Sequence, residues 1–541
     1  MAIESAASET APAAPFRVSR YAWYALFVLV LVYIVNFIDR QIISILAQDI
    51  KHDLGVDDAQ IGFLYGTAFA VFYALFGIPL GRLADSWYRG RLIAIGLGLW
   101  SSMTVLSGFA TSFGMLATAR IGVGIGEASA SPAAYSMISD SFAKEKRATA
   151  LSIYSAGLYI GGALSLPIGG FIISRWNAAW PHGAGAPMGL VGWQAAFLAV
   201  GLPGLLLALW VLTLREPQRG ASDGLLQPIV QPGAWAGFGR ELAAILPPLT
   251  LITAARTPGA LARNLVALAG VAAGVAFMIW LTGPKDRPQW LAYGLGVYAI
   301  FSWVQSLRRR DAAAHRLIWS SPTFLLLAIS FGSISFMTYA ISFWAPPYVF
   351  RTFYAAPVDP AKILTGMSAA EEVSTILGWS AAVAAASGVI LGGILADRWR
   401  RRDPRGRIFV NMLAVVLPAP AVWYMFTTDS LAGFYIASPI AQFFGSAWVG
   451  AAVATLQDLV LPRMRATAGA TYVLGTTMVG LALGPYFAGK MSVVTGSLSS
   501  GIFCLYIVPP FTLLGLWLAS RRIAELEATK VERARAAGEA I

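Results

Sequence analysis

Cysteine is almost missing from this chain: Cys504 is the only one in 541 residues, and histidine is limited to His52, His182 and His315. A single thiol excludes a disulfide framework. The three scattered imidazoles offer no zinc or CxxC spacing, so neither a bound metal nor a cofactor is expected. Charge is scarce as well. Asp, Glu, Lys and Arg make up 12% of the chain against 57% hydrophobic residues, with a mean hydropathy of +0.65, which a soluble domain does not show. The net charge of +12 sits in short basic clusters between apolar runs, not on one face or in a tail. Those clusters read as topology signals, and no nucleic-acid partner is expected.

What is present is a series of apolar runs near the ~20 residues that a membrane-crossing helix needs. The first twenty residues, rich in Ala, Ser, Glu and Pro, read as a disordered cytoplasmic N-terminus. The run Tyr21–Ile50 is too long and too charged for a signal peptide and should remain as the first span. Five more follow near Gln60–Ala84, Arg91–Thr111, Phe113–Ser139, Arg147–Ser174 and Val191–Leu214. A second six fall near Thr323–Val349, Glu372–Ala396, Arg407–Phe426, Leu431–Gln457, Ala466–Lys490 and Gly501–Ser520. Between the sets, Asn264–Thr282 and Pro288–Leu307 could each cross, while Pro247 and Pro248 break Phe238–Ala255 into an interfacial helix.

The expectation is therefore an all-α membrane protein of about fourteen spans. It comprises a six-helix bundle over 21–217, an inserted segment over 218–321, a second six-helix bundle over 322–520 and a cytoplasmic tail over 521–541. The clusters Arg82/Arg89/Arg91, Lys144/Lys146/Arg147, Arg308/Arg309/Arg310 and Arg398–Arg407 occupy alternate connections, which sets both termini on the cytoplasmic side. An internal repeat supports two parallel halves: Arg147-Ala-Thr-Ala recurs as Arg465-Ala-Thr-Ala, and Pro167 with its glycines recurs as Pro485 with Gly480, Gly484 and Gly489.

Asp39 and Arg40 lie side by side within the first apolar run, and Arg120 and Glu127 within the fourth. A charge at membrane depth costs at least ~2.5–3.5 kcal/mol, so it is kept for a pathway or a binding site. Arg120 and Glu127, seven residues apart, share one helix face. Similar depths on opposed spans suggest an Asp39–Arg120 ion pair, with this face lining a cavity and Glu127 deeper in a dry region suited to proton exchange.

The motifs Gly81-Arg-Leu-Ala-Asp85 with Arg89 and Arg91, echoed as Gly393-Ile-Leu-Ala-Asp397-Arg398, resemble the loop signature of the major facilitator superfamily, with Ser86 and Tyr88 departing from it. Within that superfamily the chain resembles the Spinster group of lipid transporters. The resemblance rests on Asn36-Phe-Ile-Asp39-Arg40, Arg120-Ile-Gly-Val-Gly-Ile-Gly-Glu127 and Glu216-Pro217-Gln218-Arg219-Gly220. It implies two parallel six-helix bundles around a central cavity, alternating access and a lipid-like cargo.

Asp39, Arg40, Arg120 and Glu127 are read as a proton-coupling and charge network, against the blander reading of structural pairs. Asn36, Arg40, Arg120, Glu127, Tyr339, Trp344 and Tyr472 are read as substrate-binding, although aromatic stripes are more often packing. Gly81, Asp85, Arg89, Arg91, Gly393, Asp397 and Arg398 are read as gating loops. Gly157, Gly161, Pro167 and Pro485 are read as packing or hinge positions. A charged first half facing an apolar second half suits an amphiphile, such as a lysophospholipid or a sphingosine-1-phosphate-like molecule, moved with protons by a monomer in a bacterial inner membrane. The alternatives are a carrier of small organic anions or drugs, and, from another class, a receptor or lipid-modifying enzyme, for which no Ser/His/Asp set or metal ligands exist.

Overall fold

The computed structural model describes residues 18–223, 228–256, 258–354 and 364–539, and the disordered reading of residues 1–17 lies outside them. Among the described residues the regular structure is helical throughout. Short polar side chains start many of the helices. Ser19, Ser112 and Ser321 cap backbone N–H groups, and Asp57 with Gln60 and Ser368 with Glu371 form reciprocal capping boxes. Gly55 closes the first span in the left-handed conformation.

Among the described residues, twelve helices are long and apolar enough to cross a membrane by length and composition, against the fourteen expected. The two that fall short have visible reasons. The fourth segment is cut at Ala128 and Ser129 into Phe113–Glu127 and Ala130–Ser141 and carries Arg120 and Glu127. Arg287–Arg310 is a continuous 24-residue helix with no charge between its ends, but Gln289, Gln305 and its Trp, Tyr, Gly and Ser residues dilute the apolar interior. It forms an antiparallel hairpin with Ala260–Thr282 through a three-residue turn, Pro284–Asp286. The interfacial stretch is two helices, Ala234–Ile245 and Leu249–Ala255, separated at the proline pair.

Helices approach closely where a side chain is missing. A Cβ on Gly161 of the fifth span would lie 2.5 Å from the Ile34 carbonyl oxygen of the first, and Gly157 meets Tyr33. Between the bundles, Gly62 and Gly66 of the second span abut the Pro485 and Leu481 carbonyls of the eleventh, where Thr67 donates to Ala482 O at 2.5 Å. Gly378 of the eighth span likewise meets Ala163 and the Pro167 ring of the fifth. In lipid, such packing replaces the hydrophobic driving force between helices.

These contacts lie toward the end opposite the basic loops, and there a charged latch joins the bundles. Arg351, from the seventh span, donates to both Asp58 oxygens at 2.6 and 2.7 Å, and Lys51 and Ser492 each add a bond to Asp58 at 2.8 Å. At the basic end, by contrast, Arg89 pairs with Asp140 and Glu216 inside the first bundle. Arg400 and Arg407 pair with Asp458 inside the second.

The inserted hairpin leans on both bundles. Gly296 sits between Val71 of the second span and Met478 of the eleventh, and Asp286 pairs with Lys490 at 2.6 Å. At the basic end Trp235 packs edge-on against Trp87, and Gln231 N–H donates to Ser86 O at 2.9 Å. The C-terminal tail is folded back as two short helices, Ile523–Ala528 and Lys530–Arg535. Glu527 meets Arg400 there, and Arg463 holds both Asp311 and Glu539.

Two outcomes are expected. Hydrogen bonds from Arg463 hold the Asp311 and Glu539 carboxyls below their usual range. Tail docking is then fully stabilised above the ordinary carboxylate pKa of ~4 and fades as pH falls below it, so protease cleavage in residues 523–539 rises on acidification. Arg351→Gln leaves buried Asp58 without its bidentate partner. With Arg351 partly exposed the cost is on the order of 2 kcal/mol, so double electron–electron resonance between labels at Thr111 and Asp429 should show a longer-distance population.

Candidate functional site

Asp39 and Arg40 are consecutive on a helix, so their side chains leave it about 100° apart and meet different neighbours. Arg40 reaches the fourth span, where its Nη2 and Nε donate to Glu127 Oε2 at 2.6 and 3.2 Å. Three rings enclose its guanidinium, with centroids at 4.7 Å for Phe37, 4.5 Å for Phe69 and 5.1 Å for Tyr73. Cation–π attraction in a desolvated setting is worth ~2 kcal/mol or more, which offsets part of the cost of burying the charge.

Asp39 turns toward the third span, where Trp100 and Thr104 lie beside it. Among the described residues neither of its carboxylate oxygens receives a hydrogen bond of good geometry, although Trp100 and Thr104 are the donors within reach, and the Thr104 hydroxyl donates instead to Trp100 O at 3.0 Å. Arg120 donates from Nη1 to the backbone oxygen of Asp39 at 3.2 Å, while its Nε and Nη2 are buried without acceptors. Glu127 Oε1 is likewise unmatched. The expected Asp39–Arg120 ion pair is thus replaced by an Arg40–Glu127 pair, because the 100° step between neighbours selects which acid faces which base.

The cluster also sits deeper than expected. Asp39 and Arg120 are 0% exposed, Glu127 1% and Arg40 7%, so the charges lie inside the wall of the first bundle rather than on the face of an open cavity. Asn36, one turn before Arg40, is buried beside Glu127. Tyr339 of the second bundle faces Arg40 and is partly exposed.

The remaining expected residues divide. Trp344 is fully buried and donates from Nε1 to Pro485 O at 2.9 Å beneath Arg351, which makes it part of the closed end and not a cavity wall. Tyr472 packs between Phe331 and Trp448 within the second bundle. Arg89, expected in a gating loop, is completely buried, where it bonds Glu216, Ser136, Asp140 and the Pro217 carbonyl. It ties three segments of one bundle together and, among the described residues, makes no bond to the other. Arg219 completes that knot through the Ala84 and Trp87 carbonyls at 2.7 and 2.5 Å.

Gly81 and Gly393 are open, Asp85 and Arg398 are exposed, Arg91 lies over Tyr88, and Asp397 pairs with Arg407 at 2.8 Å. Sequence reasoning missed the ring enclosure, for which the i, i+4 spacing of Phe69 and Tyr73 was a signal. It also missed the latch of Asp58 with Arg351, two charges at the ends of different spans that nothing in one dimension links.

Because Arg40 is the direct ion-pair partner of Glu127 among the described residues, Arg40→Ala removes the contact that compensates a buried carboxylate. The expected loss is on the order of 3–5 kcal/mol, read as a marked fall in Tm in detergent. Arg40→Ala with Glu127→Gln should recover much of it, since no charge is then stranded.

The family model described as "Major Facilitator Superfamily" matches residues 29–485. A relative named "MFS-type efflux pump" from Mycolicibacterium smegmatis is 27% identical over 512 residues, covering 93% of this chain and 94% of its own. "Protein spinster homolog 1" from Homo sapiens is 26% identical over 478 residues, covering 86% of this chain and 73% of its own. Among solved structures, a bacterial homolog of the human lysosomal transporter Spinster, in an inward-facing and occupied conformation, matches with a TM-score of 0.63 at 26% identity. That match covers 96% of this chain and 97% of the other.

Proposed function

The chain belongs to the Major Facilitator Superfamily, as an integral membrane carrier and not an enzyme, and on that premise we propose that it is a proton-coupled transporter of a lipid-like amphiphile with an anionic or zwitterionic head. The observation that carries the proposal is the buried set of two carboxylates and two guanidiniums in which Asp39, Arg120 and Glu127 keep unmatched polar atoms. With both acids ionised the set is neutral. Adding one proton leaves one guanidinium uncompensated, and a phosphate-bearing head can supply the missing negative charge through the guanidinium fork. Arg120 suits that task better than Arg40, which Glu127 and three rings already hold.

Proton and cargo would then bias the same equilibrium between two bundle arrangements. The latch at the end opposite the basic loops supports reading this arrangement as inward-facing once those loops are taken as cytoplasmic, in a protein we read as a monomer of a bacterial inner membrane with both termini inside. Lysophospholipids and sphingosine-1-phosphate-like molecules fit a charged first half facing an apolar second half. A second reading, export of small organic anions or drugs, is favoured by the efflux-pump name of a relative that spans 93% of this chain.

The test is uptake of labelled lysophospholipid and sphingosine-1-phosphate into proteoliposomes under a pH gradient. Gradient-driven flux is expected for the native protein, with Asp39→Asn and Glu127→Gln losing on the order of tenfold or more while binding persists. Absence of lipid flux alongside gradient-driven flux of a small organic anion would replace the proposal with the second reading.

A further inference from the structure

The inserted hairpin presents a surface that the transport reading does not use. No part of the apolar stretch of Ala260–Thr282 is buried in the protein, and Val266 and Trp280 are 73% and 77% exposed. Between this helix and Arg287–Arg310 runs an apolar groove of about 440 Å³, walled by Leu268, Val275, Ile279, Leu291, Leu295 and Tyr298. Its walls are too apolar to face water, so its natural filling is a hydrocarbon chain.

The basic end of the same segment carries unspent charge. Arg240, Arg256, Arg263 and Arg308 are exposed and form no ion pair among the described residues. Within residues 228–318 the carboxylates are Glu241, Asp286 and Asp311. Glu241 is taken by Arg310, Asp311 by Arg463, and Asp286 by Lys490 at the other end. Arg263 lies five residues before Leu268, about 7.5 Å along the helix axis, and Arg256 ends the short helix just before it. That spacing puts guanidiniums at headgroup level when a chain fills the groove.

We infer that the groove of the inserted hairpin, together with Arg256 and Arg263, is a binding site for an anionic phospholipid of the leaflet on the basic side. The phosphodiester engages the two guanidiniums and an acyl chain lies between the helices. Charge complementarity selects this occupant: a zwitterionic lipid brings no net charge to cations that form no ion pair among the described residues, whereas an anionic one does. The same positive-inside bias that orients the chain puts these arginines beside the leaflet from which such a lipid would come.

The full chain in mixed micelles, titrated with phosphatidylglycerol or phosphatidylcholine of identical acyl chains and followed by native mass spectrometry, tests the site. Phosphatidylglycerol should be retained roughly tenfold or more tightly than phosphatidylcholine. The exposed pair Arg256→Gln/Arg263→Gln should abolish that preference, and Val275→Phe, which fills the groove, should weaken both lipids. Arg401→Gln/Arg402→Gln, an equal charge loss elsewhere on the basic end, should leave the preference intact. Equal retention of the two lipids by the native protein, or an equal loss in the Arg401/Arg402 variant, would overturn the assignment. So would a disulfide-linked dimer formed by Ala272→Cys in a Cys504→Ser background, because a second copy would then cover the groove.

Discussion

Everything in the first bundle is arranged around the expense of keeping guanidiniums and carboxylates out of water. The idealised cost of moving one such ion into a low dielectric is on the order of 20 kcal/mol, and several remain after relaxation. Arg40 meets that cost with Glu127 and three aromatic faces, which in turn fixes how the first, second and fourth spans pack. Asp39 and Arg120 meet it only in part, with one backbone contact between them. A half-satisfied site keeps polar atoms free for a proton or a ligand, which is what the proposed coupling requires.

The two bundles are joined by a different logic. Where they meet, glycines at 62, 66 and 378 bring backbones to contact distance, single hydrogen bonds join Ser44 to Phe343 O and Ser368 to Ser174, and the bidentate ion pair is the one of the Asp58–Arg351–Lys51 latch. Small-residue seams slide at little cost, whereas a bidentate ion pair is either made or broken. The combination favours discrete states over a continuum. The inserted segment, held to Lys490 through Asp286 of the hairpin and to the Trp87 loop through Trp235 of the preceding helix, spans the seam between the second and eleventh spans and so must accommodate each state.

Much of the fold was legible because a bilayer imposes a one-dimensional code: run length, loop charge and repeat offset name the spans, the halves and the insertion without any contact being known. The span count was the weak point. Phe113–Ser141 is lowered by Arg120 and Glu127, and Arg287–Arg310 by Gln289, Gln305 and its Trp, Tyr, Gly and Ser residues, since no charge lies between its ends. Charged positions in the site were legible for the same reason, since an ionisable residue in an apolar run stands out. Their partners were not. Depth along a helix can be counted from sequence, but direction around it depends on crossing angles, and the pairing of Arg40 with Glu127 turns on direction.

The sequence by itself determined that the chain is a two-half helical membrane protein with intramembrane charges, an inserted segment and basic loops on one side. These properties follow from composition and period and need no neighbour. Tertiary structure decided which charges meet, that Trp344 and Arg89 are packed and not presented, and which end is latched. Each of those depends on residues distant in the chain reaching the same few ångströms, and a hydrogen bond or an ion pair is specific at that scale, whereas hydropathy is not.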